Sequence, residues 1–121
     1  MHPLRGAVFE NWVVIEVLKF QRARGEAPDI FFWRDSSQLE VDLLVDSAGR
    51  LIPIEIKSAA TLSSDQLTTL QWWLTLSGEA RGYLVYGGDV AQQRQNVQVI
   101  PWRELAASIE IFRNNADKRA D

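Results

Sequence analysis

Two runs of strand-forming residues, 39–45 and 51–57, lie either side of Asp46-Ser47-Ala48-Gly49-Arg50 and constrain this chain more than any other stretch. Each run is mostly apolar or β-branched, and the segment between them has turn chemistry, with Gly49 free to take positive φ. A turn symmetric about Ala48-Gly49 opposes residues whose numbers add to 97. Val45 then faces Ile52, Leu43 faces Ile54 and Val41 faces Ile56, all apolar pairs on one side of the hairpin. The other side carries Asp42 opposite Glu55, and Glu40 opposite Lys57. Slipping the register by one residue would mismatch the two sides, so the pattern itself favours this pairing.

Asp42 opposite Glu55 is unfavourable alone, because like charges across a strand pair repel and raise each other's pKa. A divalent cation removes the conflict, and Mg2+ takes one or two carboxylates together with waters and phosphate oxygens. Two carboxylates and a lysine on one hairpin are the minimum equipment for metal-assisted phosphodiester hydrolysis. The plainer account is a solvated hairpin face on which Glu40–Lys57 is a surface ion pair worth ~0–1 kcal/mol.

Composition narrows the alternatives. The chain has 121 residues and no cysteine, and its only histidine is His2. Disulfides, thiolate zinc sites, His-metal centres and Ser-His-Asp chemistry are thereby set aside. Neither GxxxxGK(S/T) nor GxGxxG occurs, so nucleotide hydrolysis is not expected of this chain alone. No apolar run is long enough to span a bilayer, and residues 1–5 carry no signal-peptide pattern, so a cytoplasmic protein with no membrane partner is expected. The net charge of −3 argues against a dedicated basic nucleic-acid binder, though not against an enzyme that meets DNA through a local patch and a metal.

Along the chain, residues 6–22 read as a helix whose apolar side gathers Ala7, Phe9, Val13, Val14, Val17, Leu18 and Phe20. Glu10 falls in the middle of that side, where a carboxylate is costly unless paired or metal-bound. Glu16 and Lys19 fall toward the polar side. Residues 29–34 read as a strand and 35–38 as a turn. A second helix over residues 64–76 buries Leu67, Leu70 and Leu74, with Gln71 beside them, and ends at Gly78. Trp72 and Leu76 lie on its opposite side. Residues 81–86 and 96–100 read as strands, and Pro101 suits the first turn of a last helix that buries Trp102, Leu105, Ala106 and Ile109. The tail, residues 114–121, is polar. The expected order is α-β-β-β-α-β-β-α, a single α/β domain over 1–121 with a mixed sheet and helices on both faces. The first helix would cross the hairpin and bring Glu10 to the Asp42–Glu55 end.

With Gly6-x-x-Phe9-Glu10, Glu40-Val41-Asp42 and Glu55-Ile56-Lys57-Ser58 in that order, the chain resembles the PD-(D/E)XK nuclease superfamily, the restriction-endonuclease-like fold. It is more closely similar to the C-terminal domain of unknown function in many bacterial and archaeal AAA-type ATPases. The similarity runs from about residue 6 through Tyr86-Gly87-Gly88 to Pro101-Trp102. It implies Asp42 and Glu55 as ligands of Mg2+ or Mn2+, with Glu10 completing the site. Lys57 would contact the attacking water or the phosphate, and Gln71 and Glu40 would be accessories. Beside two carboxylates the charged form of Lys57 is favoured, which points to electrostatic stabilisation rather than a general base. The implied activity is endonucleolytic cleavage of DNA, and the implied partners are DNA, an ATPase domain or subunit, and further copies of the chain. The rival expectation is a catalytically silent regulatory or oligomerisation module for an ATPase, motivated by the Trp72 and Leu76 patch.

Overall fold

The computed structural model describes residues 3–25, 30–34, 40–47 and 50–109, leaving out the side chains of residues 3–4, 31–34, 40, 47 and 66. The expected turn at 35–38, the conformation at Ala48-Gly49, the tail from 114 and the side chain of Glu40 lie outside that description.

The elements follow the expected order with one addition. Helix α1 is Pro3–Ala23, followed by strands β1 (Ile30–Arg34), β2 (Glu40–Ser47) and β3 (Arg50–Lys57). Helix α2 is Ser64–Ser77, and β4 (Gly82–Tyr86), β5 (Gln92–Arg94) and β6 (Val97–Pro101) follow it. A 3-10 turn, Trp102–Glu104, leads into a last helix through Ile109. The six strands form one mixed sheet in the order β1-β2-β3-β4-β6-β5. Strands β1, β2 and β3 are an antiparallel meander, β3, β4 and β6 run parallel, and β5 returns antiparallel on the edge. Strand β5 is the addition. Gln92-Gln93-Arg94 has no apolar alternation and is a strand because β6 supplies its hydrogen bonds.

The sheet is sandwiched. Val13 and Val17 of α1, with Leu105 and Ile109 of the last helix, cover Leu43, Ile54, Ile56, Tyr83 and Val85 on one face. Leu67, Leu70, Trp73 and Leu74 of α2 cover Leu44, Leu84, Tyr86 and Val99 on the other. Phe9, Val14 and Phe20 pack half-buried beside the first cluster. Ala7, expected on the apolar side of α1, is exposed. Glu16 and Lys19 meet at 3.5 Å on the outer side, as their placement predicts. Gly78 ends α2 with φ 77°, its N–H donating to the Leu74 carbonyl at 3.0 Å.

From Leu43 to Ser47 the hairpin register is the expected one. Leu43 pairs with Ile54, Val45 with Ile52 and Ser47 with Arg50. Val41, expected opposite Ile56 on that same face, is instead buried under α2 with Leu44. The cause is an irregularity against β1. Phe31 pairs with Leu44 but Trp33 with Val41, so two steps along β1 match three along β2. The extra residue reverses the alternation of β2 at Asp42. No helix among the described residues is long and apolar enough to cross a membrane.

Candidate functional site

The site begins where the hairpin ladder stops. The last backbone pair of β2 and β3 is Leu43 with Ile54. One step further the side chains take over as acceptors. The Asp42 N–H donates to Glu55 Oε1 at 2.9 Å, and the Ile56 N–H donates to Asp42 Oδ2 at 2.9 Å. The strands part at the bulge, and the two carboxylates fill the gap that the backbone carbonyls leave. Sequence arithmetic opposed Asp42 to Glu55, and the structure brings them together through these two bonds.

Glu55 is only 5% exposed. Burial pushes its carboxyl up from 4.5 to about 8, and the neighbouring Asp42 charge adds to the rise. The Asp42 N–H and the charge of Lys57 pull the other way. Burial and the Asp42 charge therefore favour the protonated form of Glu55 at neutral pH.

Lys57 is half-buried at the end of β3, in register with Tyr86. By strand alternation it shares the face of Glu55, the face under α2. The segment after it is tightly fitted. The Gly87 N–H donates to the carbonyls of both Lys57 and Ala59 at 3.0 Å. A Cβ on Gly87 would collide with the Ser58 carbonyl oxygen, and one on Gly88 would stand 2.6 Å from that of Ala60. The Tyr86 hydroxyl clasps the same turn, donating to the Val90 carbonyl at 2.7 Å and accepting from its N–H at 3.0 Å. In the sequence Gly87-Gly88 reads only as a strand end, so this support for Lys57 was not visible there.

Helix α1 reaches this end of the sheet from the opposite face. A Cβ built on Gly6 would lie 3.9 Å from Ser58 Oγ. Glu10 follows one turn later on the same side of the helix, half-buried and with a contact of its own. Among the described residues no three His, Cys, Asp or Glu side chains converge in an arrangement that would hold a metal ion. What the fold assembles is the pair, with Glu10 on the helix covering the other face. Gln71 is turned elsewhere, its amide donating to Gln95 Oε1 at 3.1 Å in the β5–β6 turn, two strands from β3. Gln21 of α1, 4% exposed, has no hydrogen-bond partner for its Oε1 among the described residues, and no sequence signal marked it.

As a donor set the pair suits a hard divalent cation, which would replace the proton that burial favours on Glu55. Fold and site together define a three-layer α/β domain with an acidic pair, Glu55 buried and Asp42 half-buried, where two inner strands part. The chain belongs to the family described as "Domain of unknown function (DUF4143)", which matches residues 5–105. That agrees with the domain of unknown function expected from the sequence. No curated protein matches the chain.

Proposed function

We propose that this is a metal-dependent nuclease-like domain of the PD-(D/E)XK type, hydrolysing phosphodiester bonds of DNA in the setting of an AAA-type ATPase. The observation that carries the reading is the acidic pair itself: Glu55 accepts from the Asp42 N–H and Asp42 accepts from the Ile56 N–H, which keeps the two side chains together at a cost that a cation relieves. Asp42 and Glu55 would hold Mg2+ or Mn2+, with waters and phosphate oxygens completing the shell of the ion. The bound ion supplies charge neutralisation and acidifies water. Lys57 offsets negative charge that develops on the phosphate, a role suited to a compact cation on a flexible stem. The Gly87 bonds to the segment after Lys57 fix where that cation is carried.

Incubation of plasmid, single-stranded and branched DNA with the protein and Mn2+ tests the reading. Cleavage is expected in wild type and should fall roughly 100-fold or more in Asp42→Asn, Glu55→Gln and Lys57→Ala, as for the loss of one stabilising group. Cleavage that persists unchanged in all three would refute the assignment.

A second reading has its own observation. Leu76 is 65% exposed and Trp72, one turn earlier on α2, 37%. An apolar pair of this kind suits a module that docks on an ATPase or on another copy. Light scattering of wild type and Leu76→Ser distinguishes self-association, which the substitution should abolish.

A further inference from the structure

The three parallel strands finish on one line. Lys57 is in register with Tyr86, and Tyr86 with Pro101. At about 4.8 Å per strand, the ends of β3 and β6 stand about 10 Å apart. Beyond the line come Ser58, Gly87-Gly88 and Trp102. The middle strand thus ends in two residues without side chains, held low against the 58–60 segment. In open α/β sheets the carboxyl ends of the strands are where ligands are met.

Trp102 is half-buried and stands edge-on to Trp12, with ring centres 6.0 Å apart at 78°. Phe9 backs Trp12 at 6.3 Å. The Arg103 guanidinium lies 5.1 Å from the centre of the Trp102 ring. Asp89, from the turn after β4, steadies it at 3.6 Å, and the Arg103 side chain is 70% exposed. A planar cation therefore stands over an indole and is open to solvent. Bases stack on surfaces of this kind, aromatic rings and arginine planes alike.

We propose that Trp102 and Arg103 form a stacking platform for single-stranded nucleic acid, flanking the phosphate site at Asp42, Glu55 and Lys57; its placement beside a scissile phosphate rests on the nuclease reading above. The geometry selects a single strand. Trp102 packs with the α1-side cluster, whereas Lys57 shares the α2 face. A chain touching both must turn over the sheet end across Gly87-Gly88. The bases of a duplex are already paired and stacked on one another, whereas those of a single strand can splay onto an aromatic or arginine plane. The charge balance points the same way. With a net charge of −3, and Asp89 beside Arg103, the contact is made by stacking rather than by a phosphate track.

The test is fluorescence anisotropy of a labelled single-stranded 12-mer of DNA, in EDTA so that nothing is cleaved. Arg103→Ala changes an exposed side chain, and Trp102→Leu keeps apolar bulk against Trp12; thermal melts confirm that both fold. Each is expected to weaken binding at least fivefold, the lower end of what one stacked base contributes. The same sequence as duplex should bind at least tenfold more weakly. With one or two phosphates engaged, the slope of log K against log salt should be no steeper than about −1.5. Single-strand binding within twofold of wild type in both variants, or a duplex bound as tightly, overturns the platform. Parallel Mn2+ cleavage separates the two readings. Variant-sensitive binding without Asp42-dependent cleavage leaves the platform standing and removes the nuclease. Asp42-dependent cleavage with variant-insensitive binding removes the platform alone.

Discussion

Glu55 and Gly87 show how single residues set the properties of the site. Glu55 is raised from 4.5 to about 8, first by burial and then by Asp42. Between those two pH values the folded state holds a proton that the unfolded chain has released. Stability therefore falls as pH rises through that window and is level above about 8. At about 1.4 kcal/mol per unit, the loss amounts to several kcal/mol. Glu55→Gln keeps an acceptor for the Asp42 N–H and removes the titration. Urea unfolding at pH 5, 7 and 8.5 should show a declining stability in wild type and a much flatter profile in the variant. An equal slope in both would assign the pH dependence to other groups. Gly87 tests the support beneath Lys57. Its missing Cβ would collide with the Ser58 carbonyl, which is backbone and cannot swing aside. Gly87→Ala should cost about 1–3 kcal/mol of unfolding free energy, as overpacking does, and should reduce any cleavage activity by moving Lys57. A variant as stable as wild type would show that the 58–60 segment is loosely held.

At the scale of elements, helix α2 offers a contrast between neighbours. Trp73 is 4% exposed and packs beneath the helix, while Leu76 is 65% exposed. Trp73→Ala should cost about 3–5 kcal/mol, and Leu76→Ser should stay within about 0.5 kcal/mol in the monomer. Denaturant titrations of the two variants check this, and a large loss in Leu76→Ser would mean that the outer face is covered in solution. What was legible in the sequence follows the same logic of faces. Leu67, Leu70 and Leu74 stand at helical spacing, and Val45–Ile52 and Leu43–Ile54 at strand spacing, so one rigid period decides where each side chain goes. The pairing of Asp42 with Glu55 came from that arithmetic. Val41 escaped it because a valine satisfies either face, and the bulge is set by a match between β1 and β2 that neither strand encodes alone. Strand β5 escaped because its pairing with β6 replaces the apolar pattern it lacks. Gly87-Gly88 carry meaning only once β3 and β4 lie side by side, as the close approach to Ser58 and Ala60 is tertiary.

At the scale of the whole molecule, the pair ties cation binding to folding. Asp42 and Glu55 come from different strands and meet only when β2 and β3 part at the bulge. The unfolded chain has no such pair, so a cation that binds it stabilises the fold by mass action. At 100 times the dissociation constant the gain is about 2.7 kcal/mol, or roughly 10 °C in melting temperature for a domain of this size. Because the cation must displace the Glu55 proton, the effect is linked to pH. Thermal melts with Mg2+ or Mn2+ at fixed concentration should therefore show a larger upward shift at pH 8.5 than at pH 6.5. The shift should be absent in Asp42→Asn, where the side-chain oxygen still accepts from the Ile56 N–H and the fold is kept. Glu55→Gln should also abolish it and, with no proton to displace, show no difference between the two pH values. A shift of equal size at both pH values, or one that survives in Asp42→Asn, would place the cation elsewhere on the molecule.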